Sequence, residues 1–247
     1  MDFTELDRDF FIFGKPIKTD LCEVRFLSYF EYLQCLEEFA YIKLNVLHFY
    51  YQYKNYYDEI PNKVDEVDKM LQEMKNSSLF EIIEQREDIK EHYLRIFKLV
   101  INSESAVNTI MSTEYLFMNY RKLILDMCLV QEDEVSPNEE IQKGIEISRK
   151  VNQQKGENHT FVDIVTSIVV STNISFEQIA DMNVFQVNAL YTRIGAIMNY
   201  QTSTLFATAF PEQNIEAWDK HIDLFENRGS GKIKRSEFDQ KFGKLLS

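Results

Sequence analysis

The residues best suited to chemistry lie near the C-terminus. Set on Gly231, the stretch 226-ENRGSGKIKRSE-237 has the punctuation of an EF-hand loop, with Gly at the sixth position, Ile at the eighth and Glu at the twelfth. The chemistry would be calcium coordination by oxygens at positions 1, 3, 5, 7, 9 and 12. Glu226 and Glu237 fit, but the third position is Arg228, whose guanidinium has no oxygen to give and repels a cation. Lys232 and Lys234 occupy the seventh and ninth positions. Two carboxylates (Glu226, Glu237) against Arg228, Lys232, Lys234 and Arg235 leave the loop at +2, the wrong sign for a divalent cation. The stretch therefore reads as a degenerate EF-hand-like helical hairpin, turned by Gly229 and Gly231 and capped at Ser236, with no metal expected.

Other reactive residues are scattered. His48, His92, His159 and His221 have no second His or Cys at helical spacing, as a zinc site would need. Phosphate-binding, dinucleotide-binding and nucleophile-elbow motifs are absent from the sequence. Cys22, Cys35 and Cys128 are widely spaced and odd in number, as in a reducing cytoplasm. Cys35 lies on an apolar helical face, where a thiol is inert. The pairs Glu37/Glu38 and Glu139/Glu140 read as solvated helix faces. The expectation is a protein with no catalytic residue and no cofactor.

The elements that would position any binding surface are mostly helical. Gly and Pro number 7 and 4 in 247 residues, and apolar residues recur at three- and four-residue steps. The net charge of −13 disfavours a nucleic-acid partner, whose phosphates need Lys and Arg, and keeps the chain soluble. The acidic start MDFTELDRDFF is not a signal peptide, and the longest apolar run, 161-FVDIVTSIVV-170, is too short to span a bilayer. A cytoplasmic protein with no membrane partner is expected.

Along the chain, Ile17–Thr19 and Glu23–Phe26 flank a turn and predict a small N-terminal β-hairpin, with Val24 and Phe26 on one face. Helical periodicity begins at Ser28. Within 41–60, Val46, Phe49, Tyr50, Tyr53 and Tyr57 share one face. That face reads either as core or as an aromatic surface for a partner, and the same faces allow a homo-oligomer. A helix over 64–74, a long one over 79–101 opened by the capping box at Ser78, and one over 114–130 follow. The acidic stretch 131–140 is a candidate linker, dividing the chain into a hairpin-plus-helical domain, 1–134, and a helical domain, 137–247. Pro137 reads as the first position of the next helix, and 152–159 as a polar loop. Capping residues at Thr160, Ser175 and Asn183 start three more helices, the last with Val187, Leu190, Tyr191, Ile194, Ile197 and Met198 on one face. A closing helix over 215–224 holds Trp218.

Two segments carry a family resemblance: 16-PIKTDLCEVRFLSYFEYL-33, and 174-ISFEQIADMNVFQVNALYTRI-194 followed by 198-MNYQTSTLFATAF-210 and 215-IEAWDKHIDLF-225. Together they resemble the tail assembly chaperones of long-tailed phages that infect Gram-positive bacteria. The resemblance implies a non-enzymatic role in the host cytoplasm, in which the chain binds the long helical tape measure protein, keeps it soluble and helps recruit tail tube subunits. Two other roles fit the residues: a calcium- or ligand-responsive helical regulator with 226–237 as its sensor, and a structural connector or baseplate part of the virion. On the chaperone reading the candidate partner surface is Phe49, Tyr50, Tyr53 and Tyr57 together with Trp218.

Overall fold

A computed structural model describes residues 7–58, 65–132, 134–155, 160–209 and 215–225. The EF-hand-like hairpin lies outside the described residues. The fold is mainly α, with one small antiparallel sheet at the N-terminal end.

Asp7 caps a 3-10 helix, Arg8–Phe13, by accepting from the Asp9 N–H. This helix stops at Gly14, whose φ of +61° suits glycine. A Cβ there would also come within 3.1 Å of the Asn183 amide. The expected hairpin follows as β1 (Ile17–Lys18) and β2 (Glu23–Val24), in the register Ile17↔Val24 and Lys18↔Glu23. Thr19 closes the turn by accepting from the N–H groups of Leu21 and Cys22, and its hydroxyl meets that of Tyr120 at 2.6 Å. Val24 points into the core and bridges to Ile101.

The helices are α1 (Tyr29–Gln34), α2 (Leu36–Ile42), α3 (Val46–Asp58), α4 (Asp65–Asn76), α5 (Leu79–Gln85), α6 (Glu87–Val100), α7 (Glu104–Met111), α8 (Glu114–Met127), α9 (Glu139–Lys155), α10 (Phe161–Ser171), α11 (Phe176–Asp181) and α12 (Val184–Ala209). A large core gathers the hairpin, α2, α3 and α5 to α8 around Tyr93, Phe97 and Phe117. A smaller core joins Tyr29 of α1 to Ile168, Ile179, Val184 and Val187.

Several boundaries differ from those the sequence predicts. The long helix over 79–101 is two helices. Arg86, at φ −118° and ψ 88°, leaves the helical region, and Asp88, in the acidic first turn of α6, accepts from its guanidinium at 2.6 and 2.9 Å. Periodicity hides the break because Ile83 and Ile89 on either side enter the same core. The segment 41–60 contributes two helices, α3 starting only at Val46, because Asn45 accepts from the Leu47 and His48 N–H groups. Helix α7 had no predicted counterpart. Asn138 rather than Ser136 opens α9 by accepting from Glu140 and Ile141, so Pro137 lies outside it, and the helix continues through 155 into the expected polar loop. Residues 215–225 form turns rather than a helix. Thr160, Ser175 and Asn183 cap their helices as expected.

Candidate protein-binding surfaces

The aromatic stripe of α3 is divided between core and surface. Phe49 is only 2% exposed and belongs to the large core, so it offers nothing to a partner. Tyr51, at the next turn edge, is also buried and donates to the Ser136 carbonyl at 2.7 Å, tying the acidic stretch to α3. Tyr50, Tyr53 and Tyr57 are half-buried. Lys75 lies over the Tyr50 ring at 5.2 Å and Arg86 over the Tyr53 ring at 5.6 Å. Tyr57 packs edge-on against the exposed Tyr56. These rings are already occupied by cations and by one another, although their outer faces reach solvent.

Trp218 is 45% exposed and sits in a turn. That turn is fixed to α12 by Arg193, which donates to the carbonyls of Trp218 and Lys220 at 2.5 and 3.0 Å. Trp218 is therefore remote in sequence and in element from α3.

A third surface was not singled out by sequence. Tyr29, Phe30 and Leu33 of α1, Phe161, Val162 and Val165 of α10, and Phe176 and Ile179 of α11 line a groove of about 240 Å³ with almost no polar lining. Phe30, Phe161 and Phe176 are 57, 52 and 58% exposed. Three Phe rings open to water in one place are unusual for a surface left bare. The legible signal was α10 itself. Seven of its eleven residues are large and apolar, a load suited to a covered helix, yet only Ile168 is buried.

The groove depends on a joint between distant parts of the chain. The Tyr29 N–H donates to the Met182 carbonyl at 2.6 Å, and Ser28 bridges to Asn183. Asn183 in turn accepts from the Gln186 N–H at 2.7 Å and donates to the Phe11 carbonyl at 3.0 Å. Near α1, Arg25 grips Glu31 through two bonds of 2.8 Å, which holds the Glu31 carboxyl down at about 2.

Among the described residues, no group of three or more His, Cys, Asp or Glu could hold a metal ion, and no helix is long and apolar enough to cross a membrane. Burial pushes the Cys128 thiol well above its ordinary range, and the Cys35 thiol is also raised, chiefly by burial, so neither is disposed to act as a nucleophile.

Residues 5–137 match the model of the YomV N-terminal domain, and residues 152–223 that of the YomV second domain. The chain belongs to the YomV family. A relative in Bacillus subtilis (strain 168), described as an SPbeta prophage-derived uncharacterized protein YomV, is 31% identical over 220 residues, covering 89% of this chain and 90% of the relative. No solved structure shows detectable similarity. The two YomV domains meet at the groove, with α1 in the first and α10 and α11 in the second.

Proposed function

We propose that this protein is a non-enzymatic assembly chaperone of a long-tailed phage, which holds the helical tape measure protein soluble in the host cytoplasm until tail tube subunits assemble around it. The prophage-derived YomV relative supports a phage origin. The observation that carries the reading is the meeting of the two segments that resemble tail assembly chaperones. Segment 16–33 supplies Tyr29, Phe30 and Leu33, and segment 174–194 supplies Phe176 and Ile179, to one apolar groove. Helix-in-groove recognition needs such a surface, and the −13 charge would keep a loaded complex in solution.

The test is co-expression with the long helical protein encoded nearest to this one, scored by solubility and co-purification, together with a search for this chain in purified particles. A partner that becomes soluble and co-elutes, with the chain absent from particles, is the expected result. A partner that is soluble alone or never associates sinks the reading. A chain retained in particles replaces it with a structural virion role.

A further inference from the structure

We propose that the groove between α1, α10 and α11 receives an amphipathic helix of a partner chain, with an apolar face and Lys or Arg along its flanks. This deepens the reading above by naming the surface and the chemistry of the helix. It rests on that reading only for which protein carries the helix.

The floor of the groove selects for apolar side chains. At about 240 Å³ it is smaller than a usual cofactor pocket, and its lining offers no set of convergent polar groups to orient a small polar ligand. It suits a few Leu- or Phe-sized anchors presented along one helix face. On α10 the lining runs from Phe161 to Thr166, about 9 Å at 1.5 Å per residue, a little under two turns of wall.

The rim selects for positive charge. The segments 28–34, 160–172 and 174–182, which build the three walls, contain Glu31, Asp163, Glu177 and Asp181 and no Lys or Arg. Glu31 is neutralised by Arg25. Glu177 and Asp181 are exposed and directly follow the groove-lining Phe176 and Ala180, whereas the Asp163 carboxylate turns back to accept from the Thr160 N–H and hydroxyl. An acidic amphipathic helix would gain the same apolar contacts but meet this rim unfavourably, and a neutral one would gain nothing from it. A helix with basic flanks gains both, and like-charge rejection of the other kind gives the groove its selectivity.

The experiment uses the full chain and a fluorescent peptide of about 18 residues, roughly five turns, built from Leu and Lys at helical spacing. Two comparison peptides replace Lys by Glu, or scramble the Leu/Lys order. Fluorescence anisotropy should show the Leu/Lys helix binding at least about tenfold tighter than either. The double variant Phe161→Ser/Phe176→Ser should lose about tenfold with its thermal melt unchanged. If that variant does not fold, the exposed pair Glu177→Lys/Asp181→Lys carries the test, and should weaken the Leu/Lys peptide while strengthening the Leu/Glu one. Equal binding of all three peptides, or variants that bind as the parent does, overturns the proposal. Binding seen only in a chain ended after Phe225 assigns the groove to the chain's own following residues, and a dimer that dissociates in Phe161→Ser/Phe176→Ser assigns it to a second copy. Each of those outcomes also overturns it. If the neighbouring long helical protein still co-purifies with groove variants, the chaperone reading survives and the groove assignment falls. If the Leu/Lys peptide docks but that protein never associates, the reverse holds.

Discussion

The backbone N–H of Tyr29 donates to the Met182 carbonyl at 2.6 Å, while the Tyr29 ring is buried among Ile168, Ile179, Val184 and Val187. One residue of α1 thus carries a backbone joint and a core contact with helices far along the chain. The backbone bond survives any side-chain change, so substitutions at 29 report the ring alone. Tyr29→Ala should destabilise by about 3 kcal/mol, the low end for truncating a buried aromatic, because the smaller core has few residues with which to refill the space. Tyr29→Phe should stay within about 1 kcal/mol. Urea unfolding followed by circular dichroism measures both. A Tyr29→Ala protein as stable as its parent would show that the ring is not a joint.

Arg121 is the largest fully buried side chain among the described residues. Its guanidinium donates to the Ile42 carbonyl at 2.9 Å, to the Leu44 carbonyl at 3.0 Å, and to Glu132. It therefore caps the end of α2, orders the turn into α3 and pins the start of the acidic stretch. Arg121→Met should cost about 2–3 kcal/mol, since the Leu44 carbonyl loses its donor, the Ile42 carbonyl keeps only the Tyr93 hydroxyl at 3.3 Å, and Glu132, 40% exposed, turns to water. Arg121→Lys should recover little, because a single ammonium cannot reproduce the planar fork that reaches three acceptors. The check is the urea midpoint of both variants; a Lys variant with parental stability would refute the fork argument.

Much of this architecture was legible in the sequence, and the exceptions share a cause. Ser78, Thr160 and Ser175 announced their helices because a capping box is a local device, read from four residues. The hairpin was legible through period two and its turn at Asp20–Leu21. The break at Arg86 was not, because it is stabilised by Asp88 two residues on while the apolar period runs straight through it. Phe49 and Tyr53 share a helical face in sequence, yet one is core and the other lies under Arg86, a difference set by α5 and α6 rather than by α3 itself. Of the groove, only the apolar load of α10 was legible. The groove's walls come from residues near 30, 161 and 176, brought together by the Tyr29–Met182 bond, the Ser28–Asn183 bridge and the smaller core.

Glu31 sets an acid-dependent part of the stability. Arg25 holds its carboxyl at about 2, against an ordinary glutamate value of about 4.3. A carboxyl depressed on folding stabilises the native state above its unfolded value, and that contribution is lost as pH falls from about 4.3 toward 2. The side chain is 34% exposed, so solvent screening limits the contribution to about 1 kcal/mol. Glu31→Gln should therefore lower stability at pH 7 by about this amount and flatten the fall in stability between pH 5 and 2, roughly the span set by the two values. Urea midpoints measured across that range decide it, and parallel curves for parent and variant would exclude the pair as a source of the pH dependence.

Phe49 and Tyr53, one helical turn apart on α3, should behave as different kinds of residue. Phe49 is enclosed by the large core, and Phe49→Ala should cost about 3–5 kcal/mol through the cavity it leaves. Tyr53 is half-buried beneath Arg86 at 5.6 Å, and Tyr53→Ala should cost only about 0.5–1 kcal/mol, chiefly the loss of that cation–π contact. The contrast separates folding from binding on this helix. If Tyr53→Ala abolishes co-purification of the neighbouring long helical protein while its urea midpoint barely moves, α3 is a partner surface in its own right. If binding and stability fall together only in Phe49→Ala, the aromatic stripe is core, and the partner must be held elsewhere, with Phe30, Phe161 and Phe176 the next residues to change.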